Sequence, residues 1–159
     1  PAYAGLPRPI LLNVGRVAVE KNIAAFLDAP APGSKVVVGD GPALAELKAR
    51  YPHVLFTGAL AGEELARAYA GADLFVFPSL TDTFGLVLVE ALASGLPVAA
   101  YPVAGPLDVL EGGEAGAMDT DLSRAITRAL RIPRAAALAH ARRYSWDAAA
   151  SQFEEAIRS

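Results

Sequence analysis

Two cations and two carboxylates stand at positions that ordinary packing does not explain. Arg16 directly follows the strand-like stretch Leu11–Val14 and Gly15, and Lys21 comes five residues later. A diphosphate carries about two negative charges, and paired cations of this kind neutralise it. Glu90 sits inside an apolar run, with Leu86–Val89 before it and Ala91–Ala93 after it. A lone carboxylate is costly if buried without a partner. Either it faces a narrow exposed slit or a core partner, or it points into a ligand cavity. In a cavity it can accept hydrogen bonds from two neighbouring hydroxyls, as on a ribose. On the residues alone both readings stay open. Asp82 lies eight positions earlier, at the mouth of the same segment, where it can accept from sugar hydroxyls.

The residues between these carboxylates have matching chemistry. Ser79–Gly85 reads small and polar, then aromatic, then glycine, at the start of a helix. Backbone N–H groups at a helix N-terminus attract phosphate. Thr81, Asp82 and Thr83 are also ordinary capping residues. With a helix starting near Phe84, the neighbours of Glu90 three and four positions away are Leu86, Val87, Ala93 and Ser94. Only Ser94 is polar, so this helix reads as buried nearly all round, with Glu90 leaning back toward Pro78–Phe84. Val36–Pro42 reads as a strand followed by Gly39-Asp40-Gly41, without the third glycine of a dinucleotide fingerprint. A tight turn explains it as well as a nucleotide contact does.

Short apolar strands must alternate with helices to position these residues. Strands are expected at Pro9–Val14, Lys35–Val38, Val54–Gly58, Leu74–Phe77 and Pro97–Ala100, with a last one near Glu114–Asp119. Helices are expected at Asn22–Asp28, Ala43–Tyr51, Gly62–Ala72 and Phe84–Gly95, with one turn near Leu107–Gly112. Further helices are expected at Leu122–Leu130, at Pro133–Arg143 and from Trp146 onward. Strands that are apolar throughout, separated by helices, predict an α/β doubly wound parallel sheet, a single Rossmann-like domain. Ligands bind at the carboxyl ends of such strands. The loops there are Gly15–Asn22, Gly39–Pro42, Gly58–Gly62, Pro78–Phe84 and Tyr101–Pro106, and most of the unusual residues fall in them.

Composition agrees. At 159 residues, 53% hydrophobic and 19% charged, the chain suits one domain with a substantial core and is too apolar for disorder. A net charge of −3 disfavours a general nucleic-acid surface. The absence of cysteine excludes disulfides and thiolate chemistry. No apolar run is long enough to span a bilayer, and no signal peptide is evident.

Taken together, these residues resemble the retaining, nucleotide-sugar-dependent glycosyltransferases with the two-Rossmann GT-B fold. That group includes bacterial mannosyl- and glucosyltransferases of glycolipid and polysaccharide synthesis. The matching pieces are Gly15-Arg16, Lys21-Asn22, Gly39–Pro42, Gly58 with Glu64-Leu65, and Pro78-Ser79. They continue with Asp82-Thr83-Phe84-Gly85, Glu90-Ala91, Ala93, Gly95 and Pro97, in the family's order over about residues 9–110.

The resemblance implies that Arg16 and Lys21 hold the donor diphosphate and stabilise the departing nucleotide. It implies that Asp82 contacts the transferred sugar and that Glu90 grips the ribose. It places backbone near Thr83, Phe84, Gly85, Leu86 and Val87 against sugar and phosphate, Gly15 and Gly39 beside the ligand, and Gly58 to Leu60 at the edge of the base pocket. The family's usual first acid is Glu; Asp82 is one methylene shorter, about 1.5 Å less reach. The donor expected is a UDP- or GDP-sugar, with no metal ligands in this half.

The whole stretch 1–159 then corresponds to the donor-binding domain, with an N-terminal acceptor domain as its partner. Transfer by this half alone is expected to be weak or nil. No nucleic-acid partner is expected. The setting expected is cytoplasmic, including the inner membrane's cytoplasmic face through peripheral contact of the full-length enzyme. The alternatives are a non-catalytic nucleotide-sugar scaffold or sensor and a nucleotide-sugar epimerase half, whose own catalytic carboxylates are not identifiable.

Other features are read as structural. Asp119–Asp121 precedes a helical stretch and reads as its cap. His53 and His140 read as surface residues. Arg128, Arg131, Arg134, Arg142 and Arg143 read as a solvated helix face, and Trp146 and Phe153 as packing residues.

Overall fold

The computed structural model describes residues 3–81, 86–111 and 114–143. Strands β1 (Ile10–Val14), β2 (Ser34–Val38), β3 (Leu55–Gly58), β4 (Leu74–Phe77), β5 (Val98–Ala100) and β6 (Gly116–Met118) form one sheet. Its order is β3-β2-β1-β4-β5-β6 and every pairing is parallel. Helices α1 (Ile23–Asp28), α2 (Leu44–Arg50), α3 (Gly62–Ala70), α4 (Leu86–Ala93), α5 (Ala104–Leu110) and α6 (Leu122–Ala129) connect them. Residues 134–143 are helical and are called α7.

The sheet is covered on both faces, which is why its central strands are mostly apolar, β4 at every position. Side chains alternate across it. Ile10, Leu12, Phe75 and Phe77 pack against residues of α3, α4, α5 and α7. Leu11, Val37, Leu74 and Val76 pack against residues of α1, α2 and α6. Each large aliphatic or aromatic side chain removed from water in this way contributes about 1.5–3 kcal/mol. All six strands leave the sheet at one edge, so the expected ligand-side loops lie along a single rim. The strand order reverses direction between β1 and β4, and a crevice opens there.

Three expectations need correction. Helix α4 buries Leu88, Ala91 and Leu92, but Leu86, Glu90 and Ala93 form an exposed stripe at i, i+4 and i+7. It is therefore not buried nearly all round; an apolar composition hid a solvent face. Helix α5 is longer than one turn. Its Pro106 occupies the first turn, where the missing N–H costs nothing, so Gly105-Pro106 does not break it. His140 is buried, with Nε2 2.6 Å from the carbonyl oxygen of Val109. The flanking arginines conceal that it shares the inward side of α7 with Ala137 and Ala141. His53 is exposed, as read. Asp121 caps α6 by accepting from the N–H groups of Ser123 and Arg124. Because β6 is parallel, Asp119–Asp121 shares the ligand-side edge, at the sheet's far end. The helix expected from Trp146 onward, with Phe153, lies outside the described residues.

Candidate functional site at the sheet's switch point

The β1 loop is shaped by backbone contacts. Gly15 donates its N–H to the Val38 carbonyl at 3.0 Å, and Val17 to that of Asp40 at 3.0 Å. The β1 and β2 loops therefore run in contact. A side chain at Gly39 would collide with the Gly15 carbonyl, and one at Gly41 with the Val17 carbonyl. The two glycines of Gly39–Gly41 thus serve this close approach.

Two asparagines tie the β1 segment to β4. Asn13, 6% exposed within an otherwise apolar strand, donates from Nδ2 to the Val76 carbonyl at 3.0 Å. Asn22, in the left-handed region with φ of 57°, donates from Nδ2 to the Pro78 carbonyl at 2.9 Å. Asparagine tolerates that backbone better than other side chains with a Cβ. The two bonds hold the strands and loops on either side of the crevice together.

Between these loops lies a cleft of about 370 Å³. Gly15, Arg16 and Lys21 line one side; Pro78, Ser79, Leu86 and Val87 line the other. A shallower hollow of about 290 Å³ adjoins it, shared through Gly15 and Arg16 and bounded by Gly39, Asp40 and Leu60. An elongated ligand laid across both would place its anionic part by the β1 loop and its far end by β2 and β3. Gly58 has φ of 78° and accepts from the Gly39 N–H at 2.9 Å, joining the β2 and β3 loops. A larger open hollow of about 1130 Å³ lies elsewhere, between residues 3–8 and α3. Of the described site residues expected from the sequence, only Leu60 reaches it. Its arginines are internally matched: Arg8 with Asp73, and Arg67 with Glu63.

Arg16 is exposed and ion-paired with Glu20, four residues on in the same loop segment. Lys21 is half-buried in the cleft. Glu90 does not line the cleft, but Leu86 and Val87, four and three residues earlier on the same helix, do. The Glu90 carboxylate is exposed and accepts a hydrogen bond from the Tyr69 hydroxyl, with Oε2 at 3.1 Å. Tyr69 is 3% exposed. Burial first, then the Glu90 charge and hydrogen bond, push its phenol far above the ordinary value. Asp82, Thr83, Phe84 and Gly85 lie outside the described residues.

Asn13 and Ser79 line the cleft, Asn22 ties its two sides together and Tyr69 bonds Glu90, none of them singled out for a role from the sequence. Asn13 was findable by the same oddity as Glu90, a polar residue inside an apolar run. Tyr69 was not, because a tyrosine on an amphipathic helix reads as core.

The family model for glycosyl transferases group 1 matches residues 8–132. The chain belongs to this family. The group 1 glycosyl transferase chain is 46% identical over 105 residues to a GDP-mannose-dependent alpha-mannosyltransferase of Mycobacterium tuberculosis, covering 65% of this chain and 28% of that protein. It is 38% identical over 114 residues to the sulfoquinovosyl transferase SQD2 of Arabidopsis thaliana, covering 69% and 22%. It is 34% identical over 170 residues to a D-inositol 3-phosphate glycosyltransferase of Mycolicibacterium smegmatis, covering 91% and 39%. The chain thus spans between 22% and 39% of these relatives' lengths. Its fold matches the pneumococcal O-GlcNAc transferase GtfA, solved with UDP and GlcNAc, at a TM-score of 0.77 and 21% identity over 97% of this chain and 36% of that one. It also matches Anabaena HepE, solved with UDP, at 0.74 and 23% over 96% and 49%. The six-stranded parallel, Rossmann-like architecture is therefore that of GT-B glycosyltransferases.

Proposed function

We propose that this chain is the donor-binding half of a retaining glycosyltransferase that moves a sugar from a nucleoside diphosphate to an acceptor, in glycolipid or polysaccharide synthesis. The observation that carries the reading is the cleft at the β1/β4 switch point with Arg16 and Lys21 on its wall. In this reading the two cations take the diphosphate and stabilise the negative charge that grows on it as the glycosidic bond breaks. Asp82 orients the transferred sugar, with Thr83, Phe84 and Gly85 beside it, and Glu90 takes the ribose hydroxyls in the Asp-x7-Glu pattern. Gly39, Gly58 and Leu60 border the base.

The acceptor, and the other face of the reaction centre, belong to a preceding domain. The chain's small share of its relatives' lengths supports this. Transfer then needs both halves, at the cytoplasmic face of the membrane that holds a lipid acceptor. Among the described residues no helix is long and apolar enough to cross a membrane, which suits peripheral contact.

Titration calorimetry with UDP, GDP, ADP and their sugars tests the reading. The mannosyltransferase relative makes GDP and GDP-mannose the first pair to try. Saturable binding of one nucleotide is expected. Arg16→Ala should weaken it roughly 10- to 100-fold, the effect of losing a charge-assisted contact. Normal binding by that variant overturns the placement of the diphosphate.

A further inference from the structure

The Glu90 carboxylate lies on the exposed stripe of α4, yet its hydrogen-bond partner comes from the core. The Tyr69 ring, on α3, stacks on Phe75 of β4 with centroids 6.1 Å apart and planes 24° from parallel. Ring and strand belong to the apolar cluster under that face of the sheet. A phenol held this way has little rotational freedom, so its O–H is a fixed donor on a rigid support. An exposed glutamate left to itself samples many rotamers, and ordering it has an entropic cost. Two ribose hydroxyls require a carboxylate of fixed plane and position.

We propose that Tyr69 is a positioning residue that sets the Glu90 carboxylate for the ribose of the donor. This rests on the reading of Glu90 given above. The Tyr69 hydroxyl engages Oε2 and orients the carboxylate plane, leaving Oε1 and the remaining lone pair of Oε2 for the ligand's hydroxyls. The phenol stays protonated across the physiological range, because burial and the adjacent carboxylate both oppose its ionisation. It therefore donates at every pH at which the protein works. Packing alone calls for an aromatic ring at this position; phenylalanine would satisfy the stack on Phe75, and only the hydroxyl serves Glu90.

The test is calorimetry with a nucleoside diphosphate and its 2′,3′-dideoxy counterpart. It uses the unmutated chain, Tyr69→Phe, Glu90→Ala and the double variant, with melting temperature recorded for each. Tyr69→Phe should weaken the ribonucleotide roughly 3- to 10-fold, the effect of one hydrogen bond. It should leave the dideoxy ligand within about twofold, a split that general loosening of the core does not produce. In the Glu90→Ala background the same substitution should change neither affinity. Equal weakening of both ligands by Tyr69→Phe, or none of either, overturns the positioning role while the Glu90 reading stands. If Glu90→Ala keeps full preference for the ribonucleotide, the ribose reading itself falls, and the proposal with it.

Discussion

Asn22 does two jobs with one side chain. Its amide bridges to Pro78 across the crevice, and its backbone adopts a left-handed conformation at the entry to α1. The two contributions separate by substitution. Asn22→Ala loses the amide and strains the backbone, and should cost about 2 kcal/mol. Asn22→Gly relieves the strain and should cost only about 1 kcal/mol. Urea denaturation of both measures this; equal losses would mean that the backbone conformation carries no penalty here. At the same scale, the legibility of the site divides by mechanism. Arg16 and Lys21 could be read because they follow a strand whose direction fixes where its loop must lie. Glu90 drew attention as a charge in an apolar run, yet it lies on the exposed stripe of α4 and outside the cleft lining. Tyr69 and Asn22 could not be read, since their roles depend on partners 21 and 56 residues away, and no local pattern encodes such a pairing.

At the scale of elements, the segment before β1 is fastened to α3 by the Tyr3 hydroxyl, which donates to the Ala68 carbonyl at 2.7 Å. Burial raises the Tyr3 phenol from 10.0 to about 12. Because the folded value lies above the unfolded one, the stabilisation is fully present below pH 10 and is lost as pH rises through about 12. Tyr3→Phe should cost about 1 kcal/mol at neutral pH and show a shallower decline in alkali than the unmutated chain. Urea midpoints from neutral pH to pH 12 check it, and parallel curves would exclude Tyr3 as a contributor. The elements themselves were legible where periodicity was unambiguous. Leu74–Phe77 is apolar at every position and forms β4 at those bounds. Helix α5 was underestimated because Gly105-Pro106 resembles a break, although a first-turn proline is harmless. The solvent stripe of α4 was missed because Leu86 and Ala93 carry no polar label despite lying outside.

For the whole molecule, the doubly wound class followed from apolar strands alternating with helices. The volume and lining of the clefts did not, because they arise only when loops distant in sequence are brought together. The cleft is walled by elements from both sides of the switch point, so a ligand there should brace the sheet as a unit. A nucleoside diphosphate at a hundred times its Kd should stabilise the chain by about 2.7 kcal/mol, or about 5–10 °C in melting temperature. Differential scanning fluorimetry reads this directly. At the same concentration an Arg16→Ala variant that binds 10- to 100-fold more weakly should keep only about 0.4–1.4 kcal/mol of that stabilisation; an undiminished shift would place the ligand elsewhere.

The Arg16–Glu20 ion pair has its own consequence. Under the proposed reading, the guanidinium that receives the diphosphate is not bare when the cleft is empty; it carries a placeholder anion supplied by its own loop. Stray inorganic phosphate must displace that tethered carboxylate and offers little else in return. A nucleotide sugar brings two linked phosphates, a ribose and a base. An exposed pair of this kind is worth at most about 1 kcal/mol, so the placeholder sets a small exchange cost, which a ligand held at several points offsets more readily than a lone anion.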